Sequence, residues 1–300
     1  MLLGTDLNPQ HLLTFTVVAR LKSITLTAQQ LNIGQPAVSG QLKLLQTFVG
    51  EPLYERKGHK IELTAVGLGL LEYAQKIDTC YTQALEYVRS LQQISTGVLR
   101  IGATMTIASY YLPRFLVELQ TKHAGVQVFM KTFDTSQTLH HLYNLDLGFI
   151  EGSVRSEELP SNYEVIPWQQ DEIVLIIPEK HPLATEFQAY VPLDVFSRYQ
   201  VIWRESGSGA RQIVEQALLT AGIHSPVNIE VTGVSAVKES VRAGLGIGFS
   251  SVMALKNESA GLVARRIGSP DGLVWQLNIL APKPSLQSRV TQAFLELCQH

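Results

Sequence analysis

Residues 23–64, SITLTAQQLNIGQPAVSGQLKLLQTFVGEPLYERKGHKIELT, constrain this chain more than any other stretch. Leu26, Ala28 and Leu31 recur at near-helical spacing with Ser23 and Thr25 placed to cap the start, which predicts a short amphipathic helix over residues 23–32. Ile33-Gly34-Gln35 interrupts it, with Gly34 free to take the left-handed conformation of a tight turn. Pro36 has the fixed φ of a first helical position and opens a second helix over residues 36–48. On that helix Val38, Leu42 and Leu45 share one face, while Gln35, Ser39, Gln41 and Lys43 fall toward the other. Polar side chains of that size suit a helix entering a major groove. Two helices joined this tightly make a helix-turn-helix. The same pattern also fits a packing unit in a protein-interaction domain.

Pro52-Leu53-Tyr54-Glu55-Arg56 reads as a short strand, Lys57-Gly58-His59-Lys60 as a basic turn and Ile61-Glu62-Leu63 as the returning strand. That is a β-wing, with Arg56, Lys57 and Lys60 where phosphates would lie. At this point the chain resembles the LysR-type transcriptional regulators. The resemblance rests on Ser23, Ala28, Leu31, Gln35-Pro36-Ala37-Val38-Ser39, Leu42, Leu45, Gly50, Pro52-Leu53, Glu55-Arg56, Leu63-Thr64 and Gly67. The chain departs from the family with Leu26 in place of a common arginine, Thr27 in place of an alanine, Gly40 after the serine and Gln46 where an acid is usual. By this resemblance Ser23, Thr25, Gln35, Pro36, Ser39, Gln41, Lys43, Arg56, Lys57 and Lys60 are expected to face double-stranded DNA. RNA polymerase is a further candidate partner.

A length of 300 residues exceeds what one core commonly supports. The formal net charge of −2 argues against nucleic acid until it is divided along the chain. Residues 1–95 carry eight Lys and Arg against seven Asp and Glu, and the remainder sixteen against nineteen. Between Arg20 and Thr64 the six bases outnumber the three acids. One such head would bind DNA weakly.

The opening MLLGTDLNPQ lacks the pattern of a secretory signal, and the longest apolar runs are too short for a bilayer. Cys80 and Cys298 have no metal-ligand spacing, and neither does the pair His140-His141. A cytoplasmic protein with no metal and no cofactor is expected.

Residues 65–95 lack proline and, past Gly69, glycine. Leu70, Ala74, Ile77, Tyr81, Ala84, Val88 and Leu91 alternate steps of four and three, a heptad seam that wants a second helix. Two copies paired along Leu70, Ile77, Tyr81, Ala84, Val88 and Leu91 would hold two heads at fixed separation. The alternative is packing on the helix's own domain. In the resembling family this helix mediates dimerisation, and a dimer or dimer of dimers is expected. From residue 96 strand and helix patterns alternate, which implies mostly parallel sheets in two lobes. The expected fold is α/β, with a winged helix-turn-helix over residues 1–64, a linker helix over 65–95 and an effector domain over 96–300. The resemblance implies the two-lobed architecture of periplasmic solute-binding proteins. It assigns residues 98–165 and 266–300 to lobe I and 166–265 to lobe II.

Three loops at helix starts carry the chemistry. Ala103-Thr104-Met105-Thr106 offers hydroxyls and free N–H groups at a positive helix end. Arg204-Glu205-Ser206-Gly207-Ser208-Gly209-Ala210-Arg211 adds glycines that admit a ligand to the backbone, and Arg211 as an anion partner. Thr232-Gly233-Val234-Ser235 is the third. Thr104, Thr106, Ser206, Ser208, Arg211 and Ser235 are therefore expected around a small anionic effector, with plain helix capping as the alternative. Ser206-Gly207-Ser208-Gly209 is not a nucleophile elbow, and Gly244-Leu245-Gly246-Ile247-Gly248 follows a helix where a dinucleotide loop follows a strand. Binding rather than catalysis is expected. Ile101-Gly102-Ala103-Thr104, Tyr111-Leu112-Pro113 and the 206–211 loop are most similar to family regulators of carbon fixation and of sulfur or nitrogen assimilation.

Overall fold

The computed structural model describes residues 7–57, 60–90 and 97–299. The chain divides into two compact units, residues 1–88 and 89–300.

The first unit contains α1 (Pro9–Leu21), α2 (Ile24–Leu31), α3 (Gln35–Val49), the hairpin β1 (Tyr54–Lys57) and β2 (Lys60–Leu63), and α4 (Ala65–Ser90). Asn8 and Ser23 cap α1 and α2 with side-chain oxygens that accept from Gln10 and Leu26 N–H. The left-handed residue of the turn is Asn32 (φ 53), whereas Gly34 is extended (φ −70, ψ 147) as the N-cap of α3. Asparagine tolerates the left-handed region. At that position its N–H closes the last carbonyls of α2, and Gly34 must straighten so that its own carbonyl can open α3. Pro36 is the second residue of α3, still within the turn whose N–H groups have no helical partner.

Leu12, Phe15, Val38, Leu42 and Leu45 form the core of this unit, closed by Leu53 and Ile61 of the hairpin region and Ala74 of α4. Thr64 starts α4: its hydroxyl donates to Pro52 O (2.6 Å) and accepts from Gly67 N–H (3.0 Å). A Cβ on Gly67 would fall 2.0 Å from the Leu53 carbonyl oxygen, so only glycine lets α4 sit this close. Past Ala74 the apolar stripe emerges, with Ile77, Tyr81, Ala84 and Val88 exposed. Leu91 lies outside the described residues, as do the side chains of Lys57 and Lys60.

The second unit begins with β3 (Gly97–Ala103), a π-turn (Ile107–Tyr111) running into α5 (Leu112–Lys122), β4 (Val126–Thr132), α6 (Thr135–His140), β5 (Leu147–Glu151) and β6 (Tyr163–Pro178). It continues with α7 (Pro182–Glu186), β7 (Tyr190–Val191), α8 (Val195–Arg198), β8 (Val201–Arg204), α9 (Gly209–Thr220) and β9 (Ile229–Val231). The last elements are α10 (Val234–Arg242), β10 (Ile247–Ser251), β11 (Leu262–Ile267), β12 (Leu273–Pro282) and α11 (Arg289–Gln299).

Strands β4, β3 and β5 run parallel in one lobe, and β10, β8 and β9 in the other. The lobes are not separate sheets. The antiparallel pair β6 and β12 spans both, giving one sheet in the order β4-β3-β5-β12-β6-β10-β8-β9. A division between residues 165 and 166 therefore falls inside β6. Pro167 and the polar run Gln169-Gln170-Asp171-Glu172 hide this strand from a pattern search. The proline is tolerated because the register shifts there, with Leu277 opposite Gln169 and Asn278 opposite Pro167. The intervening Trp168 donates its indole N–H to Cys298 O (2.7 Å), tying α11 to lobe I. Across the lobes, fully buried Lys238 of α10 donates to Tyr110 Oη (2.9 Å), to Ala254 O (3.0 Å) and to Glu258.

Candidate functional site

In the head, Gln35, Pro36 and Lys43 of α3, Thr25 of α2 and Arg56 of β1 are exposed, and Ser39 is half-buried. Two expected DNA contacts are engaged in the head itself. Ser23 caps α2, and Gln41 Oε1 accepts from the buried Thr14 hydroxyl (2.6 Å), fixing α3 to α1. Two of the family departures also have structural work. The Thr27 hydroxyl donates to Ser23 O (2.7 Å), and Gln46 Oε1 accepts from Leu53 N–H (2.9 Å), so an uncharged acceptor suffices there.

In the second unit a cavity of about 310 Å³ opens beyond the carboxyl ends of the parallel strands of both lobes, the position where open α/β sheets bind ligands. Thr104 and Met105 follow β3, Phe133, Asp134 and Gln137 follow β4, and Glu151 ends β5. Residues 204–209 form the opposite wall and lead into α9. Two polar atoms of this lining, Glu151 Oε1 and Ser208 Oγ, are buried without a hydrogen-bond partner, and the Thr104 hydroxyl is buried beside the Glu151 carboxyl. Ser208 is the N-cap of α9 yet makes no side-chain cap. Its hydroxyl and the unpaired N–H groups of the first turn stand at the positive end of a twelve-residue helix.

Charge in the cavity is tightly arranged. Arg204 is buried and donates through Nε and Nη2 to both oxygens of Glu205 (2.8 and 2.5 Å), and Glu205 Oε2 also accepts from Gly233 N–H (3.0 Å). Burial alone would raise the Glu205 carboxyl, but these donors overcome it and hold it at about 2. Glu151 goes the other way. Burial drives it up, with Asp171 acting in the same sense, against the opposing pull of the Thr106 and Thr104 hydroxyls and of Arg204. Behind it Asp171 accepts from the Ser251 hydroxyl and faces Tyr111.

Of the residues expected around an effector, the fold brings Thr104, Ser206 and Ser208 to the cavity wall. Thr106 is buried behind them against Glu151. Arg211 is elsewhere: it donates to Glu215 (2.7 Å), Glu230 (2.7 Å) and Arg204 O (2.8 Å), and is not part of the lining. Four residues on in the same helix, Glu215 captures it as an ordinary i,i+4 partner. Ser235 is exposed in the first turn of α10, outside the lining. Glu151, Asp134 and Gln137 escaped the sequence reading. Only the Asp-x-x-Gln spacing, which forms a capping box on α6, could have pointed to two of them. No group of three metal-binding side chains occurs among the described residues.

A winged helix-turn-helix followed by a long helix, and a two-lobed α/β domain with a polar cleft, define a ligand-responsive DNA-binding regulator. Residues 9–68 match the model for the bacterial regulatory helix-turn-helix protein, lysR family, and residues 92–300 match the LysR substrate binding domain. The chain belongs to the LysR family of transcriptional regulators. It is 33% identical over 288 residues to the HTH-type transcriptional activator CmpR of Synechocystis sp., covering 94% of this chain and 91% of that protein. Full-length CbnR complexed with its target DNA shares the fold, with a TM-score of 0.70 at 20% identity, covering 97% of this chain and 99% of CbnR. The regulatory domain of Synechocystis PCC6803 CcmR in complex with 2-PG has a TM-score of 0.59 at 25% identity, covering 67% of this chain and 95% of that one.

Proposed function

We propose that this regulator reads duplex DNA in the cytoplasm through the exposed face of α3 and the wing, as a dimer or dimer of dimers paired along α4, and senses a small oxyanion in the interlobe cavity. Thr25, Gln35, Pro36, Ser39 and Lys43 address bases and backbone, while Arg56, Lys57 and Lys60 address phosphates. Bound at the start of α9, the effector shifts the balance between lobe arrangements and so the placement of the heads before RNA polymerase. The observation that carries the anion reading is the placement of Thr104 and Ser208 on one cavity wall at the N-terminus of α9, with the Ser208 hydroxyl buried without a partner. The relative CcmR, whose regulatory domain holds 2-PG, supports the same ligand class. Thermal unfolding of the whole protein against 2-PG, inorganic phosphate and small carboxylates tests it. A ligand at one hundred times its Kd adds about 2.7 kcal/mol. A melting curve that ignores the whole panel would overturn the effector reading.

A further inference from the structure

If the cavity takes an oxyanion, it takes it next to a carboxyl group. Glu151 ends β5 on the cavity wall and is only 6% exposed. A Cβ on Gly209 would lie 2.5 Å from Glu151 Oε2 and 2.8 Å from its Cβ, so the side chain is pressed against the first turn of α9. That turn is also where the anion should sit. Two negative charges cannot share this volume cheaply without a cation to divide between them.

The cation that acts on Glu151, Arg204, is already shared with another acid, and its pull is outweighed by burial. Arg204, the guanidinium in the lining, is held by both oxygens of Glu205. Asp171 behind Glu151 and Asp134 across the lining are acids, and Tyr111 faces Asp171. Thr104 and Thr106 offer the carboxyl only hydroxyls, whose pull is smaller than the push of burial, and Glu151 Oε1 is buried without a partner of its own. Building on the anion reading above, we propose that Glu151 faces the effector as an uncharged carboxylic acid whose O–H donates to the effector's oxyanion. One side chain then does two things: it reads the anion as a donor, and it couples effector affinity to proton concentration. The burial that drives the Glu151 carboxyl upward acts in the same direction. Raising the pH strips that proton, and the site becomes self-repelling.

The infrared difference spectrum between the wild-type protein and Glu151→Gln at neutral pH, with no ligand present, tests the protonation directly. The carbonyl-stretch band of a protonated carboxylic acid is expected in the wild type and absent in the variant. Calorimetric titrations with 2-PG and inorganic phosphate across pH then test the donation. Wild-type affinity should fall by up to tenfold per pH unit once Glu151 titrates, relative to E151Q, whose amide N–H donates at every pH. The probe's own titration is common to both proteins and cancels. A missing band, or parallel pH profiles in the two proteins, overturns the proposal. A wild-type protein that binds neither probe at any pH overturns the anion reading and the donation with it. That failure is distinguishable because the band is measured without a probe.

Discussion

Glu205 and Arg204 show how single residues set the shape of the interlobe cavity. Arg204 has 5% of its side chain exposed and Glu205 26%, so removing the acid strands a buried guanidinium. Glu205→Ala is expected to cost about 3 kcal/mol, read from urea unfolding midpoints at neutral pH. The pH dependence has a definite sign. The folded carboxyl at about 2 lies below its ordinary 4.5, so the pair stabilises fully above 4.5 and loses its contribution as pH falls toward 2. In Glu205→Gln that loss between 4.5 and 2 should be missing. On the same wall, Gly209→Ala drives a methyl into the Glu151 carboxyl, and the lobes must part to admit it. The variant should keep its affinity for operator DNA in a gel-shift assay while any effector-dependent change in that affinity is lost. In the head, Gln41→Ala should cost about 1 kcal/mol of unfolding free energy, because it leaves the Thr14 hydroxyl buried without its acceptor. The double variant with Thr14→Val should recover most of it, which separates folding from DNA contact. Sequence pointed to Thr104 and Ser208, which line the cavity, because hydroxyls before a helix are a local signal. It could not show Glu151, which sits in the run Leu147-Gly148-Phe149-Ile150-Glu151 like the end of any buried strand. Its meaning comes from Gly209, in the opposite lobe.

Among the elements, α4 carries the clearest mismatch between pattern and surroundings. Leu70, Leu71 and Ala74 are absorbed by the head, yet Tyr81 and Val88 keep 53% and 56% of their surface exposed. An apolar seam left open over several turns is expected to be closed by the same seam of a second copy. Tyr81→Glu places a charge at its centre, well past the last residue packed on the head. Sedimentation velocity should show the wild type as a dimer or larger and the variant shifted toward monomer, with an unchanged melting transition of the head. A variant that sediments like the wild type would move the dimer contact elsewhere. Periodicity made α3 and α4 legible because each carries an apolar stripe at helical spacing, and the parallel strands β5, β8 and β10 because each is a short apolar run buried on both faces. It failed at β6, where Pro167 and four successive polar residues belong to a strand that leaves one lobe and enters the other. No single periodicity describes a strand whose surroundings change halfway along it. The turn between α2 and α3 failed for a smaller reason: glycine is the default left-handed residue, and Asn32 took that role two positions earlier.

At the scale of the whole molecule, the charge distribution and the seam make one argument. A net charge of −2 leaves no general attraction to DNA, so association depends on the six bases between Arg20 and Thr64. Each phosphate neutralised contributes about −0.9 to the slope of log K against log salt. One head therefore cannot exceed a slope of roughly −5, and two heads held together by α4 can reach roughly twice that. The effective concentration of the second head near its half-site then does more for affinity than any one side chain of the first. Fluorescence anisotropy on a duplex with two half-sites, read across a salt series, should give the wild type a slope near twice that of Tyr81→Glu. The variant should also bind far more weakly at physiological salt, and single- and double-site duplexes should become equivalent for it. Equal slopes in the two proteins would mean that one head suffices, and the charge asymmetry along the chain would need another explanation.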